Sequence, residues 1–153
     1  MLPAFADYFQ RLQSLHNDIE AALEGLPQDA LDWVAGPDIN SLTVLVIHLS
    51  GAERYWIGDV AGDLPSGRNR SDEFLVKGLD AEALISRLNS ALEISRQVLE
   101  GLALDDLSAM RTAPANGRQY SVAWALSHAL EHTAIHLGHI QIIRQLWDQQ
   151  RQA

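Results

Sequence analysis

The sequence predicts an all-α fold, a four-helix bundle, and three observations carry that prediction. Apolar residues recur at three- and four-residue steps along four long segments. Residues able to cap a helix stand ahead of the later segments, and Gly- and Pro-containing stretches divide them. The first segment runs from Leu2 to Leu26, with Phe5, Phe9, Leu12, Leu15, Ile19 and Leu23 on one face. Pro3 suits a first turn, where its missing N–H costs nothing, and Gly25 with Pro27 ends the helix. Gln28 to Asn40 contains Gly36 and Pro37 and reads as a connecting loop, with Trp33 expected to plug one end of the bundle.

The second segment starts at Asn40 or Ser41, either of which can accept a hydrogen bond from a first-turn N–H, and continues to Val60. Its β-branched Val44, Val46 and Ile47 leave a strand open locally, but helix fits the apolar spacing better. Gly62 to Ser71 has no periodicity and reads as a mobile surface connection, placed to act as a lid. The third segment, Asp80 to Leu99, is capped by Asp80, and its stripe of Leu84, Leu88, Ala91, Leu92, Ser95 and Val98 indicates packing alone. Gly101 to Tyr120 holds Pro114, Asn116 and Gly117, which suit either a short hairpin or an irregular crossover. The last segment is capped by Ser121 and extends to Asp148.

A chain of 153 residues has room for one substantial core, so a single domain over 1–153 is expected. A net charge of −9 repels phosphate backbones and anionic lipid, which argues against nucleic-acid or membrane partners. The absence of cysteine removes disulfides, thiolate ligands and a cysteine nucleophile. Asp7, with no basic start or continuous apolar run around it, argues against a signal peptide, and the short apolar runs argue against a membrane span. The expected location is the cytoplasm.

Four of the six histidines fall in the last segment, at His128, His132, His136 and His139. Four residues along an α-helix amount to about 400° of rotation, so His132 and His136 project from one face a turn apart and can reach one ion. A catalytic site built on imidazole commonly takes three protein ligands and keeps a position open. His48 is the natural third, because a neutral ring among Val46, Ile47 and Leu49 needs a polar or metallic partner. The bland alternative for each ring is a hydrogen-bonded core or surface histidine. A zinc-protease motif would put glutamate directly after the first histidine of the pair, and Thr133 stands there instead. His128 and His139 are expected beside the ligands or on a pocket wall. Glu53 reads as a solvated charge, and His16 shows no partner.

The stretches S41-LTVLVIHLSGAERYW and S121-VAWALSHALEHTAIHLGHIQIIRQLW resemble those of the DinB-like superfamily. The resemblance implies an up-down-down-up four-helix bundle carrying a divalent metal on His48, His132 and His136, and imidazole ligands accept zinc and nickel alike. It also implies frequent homodimers and, in the branch that the tail GH-IQIIRQL is similar to, transfer or isomerisation chemistry using mycothiol, bacillithiol or glutathione. The expected function is therefore a metal-dependent enzyme, a thiol S-transferase or isomerase acting on a small electrophile, with no catalytic residue beyond the metal ligands assigned. The competing expectation is a non-catalytic metal-binding module, stress-associated or recruiting a partner, in which the ion only stabilises the bundle.

Overall fold

Proline at the first helical position forfeits no hydrogen bond, and α1 begins there, running Pro3–Leu23. Gly25, at φ +70°, then turns the chain through a conformation that strains a residue with a Cβ. The computed structural model describes residues 1–151. After α1 come a single helical turn, α2 (Gln28–Leu31), and α3 (Leu42–Glu53), which continues as a π-helix over Arg54–Ala61. Next are the short α4 (Arg70–Glu73), α5 (Ala81–Gly101), a 3-10 turn (Leu104–Ser108), the strands β1 (Met110–Thr112) and β2 (Gln119–Ser121), and α6 (Val122–Gln150). Ser41, Asp80 and Ser121 cap α3, α5 and α6, each accepting from the backbone N–H three residues on.

The long helices form the four-helix bundle that the sequence predicts. Tyr8, early in α1, donates to Leu126 O early in α6, and Arg144, late in α6, donates to Ala22 O and Glu24 O at the end of α1, so these helices run parallel. His48 meets His136 and Trp56 meets Trp124, so α3 and α6 run antiparallel. Ile47 and Arg87 face one cleft while Gly62 abuts Val98, so α3 and α5 are parallel. The order is up-down-down-up. Parallel neighbours require the chain to return the length of the bundle between them, and residues 62–80 make that return.

The return segment lies on the surface as expected, exposed over most of residues 63–72, and polar side chains tie it down. Buried Asp59 accepts from Arg54 Nη1 (2.6 Å) and from Ser66 Oγ (2.7 Å), Arg54 also donates to Leu64 O, and Glu73 is buried. Polar groups spaced without periodicity are thus anchoring the backbone through side chains rather than through a ladder. The stretch 28–40 contains the helical turn α2, tied to α3 by Thr43 Oγ1 donating to Leu31 O. The stretch 101–120 resolves as a hairpin with Met110 paired to Ser121 and with Gly117 at φ +69° in its turn. Trp33 packs edge-on against Trp147, their centroids 5.7 Å apart. Among the described residues no helix is long and apolar enough to cross a membrane.

Two apolar clusters fill the bundle. One gathers Leu15, Ile19, Leu45, Leu49, Leu88, Leu137 and Ile140, the other Leu12, Tyr55, Ile57, Leu99, Ala125 and Ala129. Between them, at mid-height, lies a belt of buried polar side chains from all four helices: His16, Glu53, Ser95 and Thr133. Glu53 is therefore not a solvated charge. It accepts from His16 Nε2 (2.6 Å) and from Ser95 Oγ (2.7 Å), and Ser95 belongs to a polar network rather than to packing alone. Burial pushes the Tyr8 hydroxyl well above its usual pKa range, with the charge of Glu53 adding to the effect.

Candidate metal centre

His48 sits in the middle of α3, one turn before Gly51 and Ala52, and is 6% exposed. His132 and His136 stand one turn apart on the facing side of α6, where antiparallel packing brings them opposite His48. The three rings form a near-equilateral group: centroids lie 5.0 Å apart for His48 and His132, 5.1 Å for His48 and His136, and 4.4 Å for His132 and His136. One ring nitrogen from each falls within 4.8 Å of the others.

Metal–imidazole bonds of about 2.1 Å put two nitrogens on one ion about 3.4 to 4.2 Å apart, so roughly half an ångström of movement per ring closes the set. The protonation states suit the same purpose. Burial, then the neighbouring charges of His136, His48, His128 and Arg68, lowers the His132 pKa to about 3, and burial with His48 and His139 lowers that of His136 to about 4. Both rings are neutral at physiological pH and carry a lone pair, which is the form that binds metal. His132 Nδ1 is buried without a hydrogen-bond partner among the described residues, so nothing in the protein competes with an ion for that ring. His48 Nδ1 faces Glu73 Oε2 at 2.8 Å, which leaves the opposite edge of that ring unclaimed. Three imidazoles with no acid among them fit zinc, nickel or copper better than magnesium or calcium.

The depressed histidine pKa values imply a pH dependence of stability. Unfolded imidazoles titrate near pH 6.5. As pH falls below that, the unfolded chain binds protons that the folded metal-free protein does not, so stability is complete above about pH 6.5 and is lost as pH falls toward 4 and 3. After discounting for the partial exposure of both rings, metal-free protein should lose about 2 kcal/mol between pH 7 and pH 5. Thermal melts of chelator-treated protein at these two pH values check this. A flat melting temperature would contradict it.

Two cavities flank the rings. The first, about 350 Å³, is bounded by His48, His132 and His128, by Tyr55 and Trp56, by Arg68 and Arg70, and by Asn116 of the hairpin turn. The second, about 310 Å³, lies beside His136 and His139 and is walled largely by Ile39, Ile142, Ile143 and Leu146. His128 thus lines the first cavity, stacked on Trp124 with centroids 4.8 Å apart, and Trp56 meets it edge-on at 4.9 Å. His139 borders the second, with its Nδ1 3.3 Å from His136 Nδ1.

The residue that sequence reasoning missed is Glu73. It accepts from His48 Nδ1 and, through both oxygens, from Arg68 Nε and Nη2 at 2.5 and 2.8 Å. Burial alone would raise its pKa, but the hydrogen bonds from Arg68 and His48 and the charge of Arg68 outweigh it and hold the carboxyl below its usual range. Its only signal in the chain is Asn69, which accepts from the Ser71 N–H and so starts the short turn that bears Glu73.

Known proteins show the same fold. A conserved protein from Enterococcus faecalis superposes with a TM-score of 0.73 at 17% identity, covering 95% of this chain and 98% of that one. YfiT from Bacillus subtilis, described as a probable metal-dependent hydrolase with an unusual four-helix bundle topology, has a TM-score of 0.76 at 13% identity, covering 97% and 90%. A DinB-like protein from Bacillus cereus has a TM-score of 0.74 at 14% identity, covering 92% and 91%. A comparison with curated proteins returns no match. The sequence profile of the mycothiol S-transferases matches residues 8–149, and on that match the chain belongs to the mycothiol S-transferase family.

Proposed function

We propose that the protein is a metal-dependent S-transferase that joins a low-molecular-weight thiol to a small electrophile, with His48, His132 and His136 as the metal ligands. The observation that carries this reading is the convergence of three imidazoles, two of them held neutral, at the wall of a cavity of about 350 Å³. Bound there, zinc or nickel would lower the pKa of a coordinated thiol and favour the thiolate. The chain contains no cysteine, so the thiol arrives as a co-substrate, and family membership favours mycothiol over bacillithiol or glutathione.

The chain's own residues provide binding and orientation. Arg70 brings positive charge to the cavity of a protein whose net charge is −9, which draws anionic groups of either substrate toward the rings, while the charge of Arg68 is balanced by Glu73. Trp56, seated edge-on to His128, offers a flat apolar wall against which an electrophile packs while water is displaced.

The test is to load untagged protein with zinc or nickel and mix it with each of the three thiols and a bimane-type electrophile. Conjugation that depends on metal, appears with one thiol, and vanishes in His136→Ala is expected. No metal-dependent acceleration with any thiol overturns the transferase reading. If water replaces the thiol and an ester or amide is cleaved instead, the hydrolytic description given to YfiT applies here too.

A further inference from the structure

An ion-binding imidazole must present a chosen nitrogen, and which one is free depends on what the other nitrogen does. For His48 that partner is a carboxylate brought from 25 residues away in sequence. Glu73 is only 7% exposed, and its seat is built from three directions. Arg68 grips both carboxylate oxygens with two N–H groups in the planar fork geometry that best fixes a carboxylate. Gly51, one helical turn beyond His48, leaves the space that Glu73 Oε1 fills, and a Cβ there would collide with that oxygen. The Phe74 ring, next in the chain, packs on the His48 ring with centroids 5.1 Å apart, and Arg70 covers its outer face.

A carboxylate held by a guanidinium can only accept, so His48 Nδ1 must donate, and the lone pair resides on Nε2. We propose that Glu73 is a positioning residue of the metal centre, holding His48 in its Nδ1–H form with Nε2 free for the ion, and that Arg68 and the gap at Gly51 hold Glu73. The inference rests on the reading of His48, His132 and His136 as ligands. It also makes the return segment 62–73 part of the site, since docking of that segment and affinity for metal are coupled through one shared carboxylate. Arg68, which lines the cavity beside the rings, carries that coupling to the substrate side.

Two measurements on the full chain test this. Nitrogen-15 NMR of the imidazoles in metal-free protein at about pH 8 should show His48 as the Nδ1–H tautomer, a signature that a loop-anchoring ion pair of no consequence for ligation does not require. Competition with a chromogenic chelator for zinc should show affinity falling roughly 10- to 100-fold in Glu73→Ala and in Gly51→Ala, and less in Glu73→Gln, whose amide oxygen still accepts from Nδ1.

An Nε2–H tautomer in the wild type overturns the proposal without recourse to any variant. Zinc affinity within about threefold of wild type in Glu73→Ala, against the 10- to 100-fold expected of such a partner, overturns it while leaving the metal reading intact. A wild type that takes up neither zinc nor nickel overturns both. Should Glu73→Ala fail to fold, Gly51→Ala decides the question, and unchanged zinc affinity there refutes the proposal.

Discussion

Replacing His132 by alanine is expected to abolish metal binding and activity while sparing the fold. Metal content should fall from about one ion per chain to below about a tenth, and thiol-transfer kcat/KM should drop more than about 100-fold, since even outer partners of ligands are worth 10- to 100-fold. Metal-free stability should change by less than about 1 kcal/mol, because the ring buries a nitrogen without a partner, and removing that uncompensated desolvation offsets most of the lost packing. The combination separates a site kept for function from a core histidine, because a core histidine would show the reverse: intact metal content and a destabilised fold. Elemental analysis and chelator-treated melts of the variant and wild type provide both readouts. Retained metal in His132→Ala would refute the three-ring site.

The second large effect belongs to the polar belt. Glu53→Ala is expected to cost at least about 3 kcal/mol, a large share of the roughly 5–15 kcal/mol that holds a typical domain together. Glu53 lies 1% exposed between His16 and Ser95, and its removal leaves the buried His16 imidazole without its partner, while the Ser95 hydroxyl falls back on Ala91 O. His16 Nδ1 already lacks one. Buried polar pairs are costly to break but replaceable as a unit, so Glu53→Met combined with His16→Leu should recover at least half of the loss. Urea denaturation of the single and double variants measures this. A Glu53→Ala protein within about 0.5 kcal/mol of wild type, the ordinary spread of surface substitutions, would show that the belt contributes nothing to stability.

The belt also explains why the metal centre sits where it does. Leu15, Leu49 and Leu137 end one apolar cluster, and Leu12, Tyr55 and Ala129 begin the other, so mid-height is where polar side chains can meet without interrupting either core. His48, His132 and His136 occupy the α3–α6 side of that level, and Glu53 with His16 and Ser95 the interior. Here α3 turns into a π-helix, which adds a residue per turn and rotates the side chains beyond it. Trp56 is thereby turned onto Tyr120, Trp124 and His128 at the cavity wall. Nothing in the apolar pattern of residues 54–61 distinguishes i→i+5 bonding from ordinary helix, so that rotation shows only in the folded chain.

The features legible in the amino-acid sequence are those that depend on short separations along the chain. Apolar steps of three and four residues set the four long helices. Ser41, Asp80 and Ser121 set where three of them start, and the four-residue spacing of His132 and His136 sets two rings on one face, because helical geometry converts a short sequence interval directly into a direction. Which polar groups meet across the bundle was a matter for tertiary packing alone. His16 reaches Glu53 over 37 residues, Ser95 reaches the same carboxylate over 42, and Glu73 reaches His48 over 25. Such pairings depend on the register and direction of helices packed side by side, which the total burial of two apolar clusters selects, and no local pattern of residues encodes them.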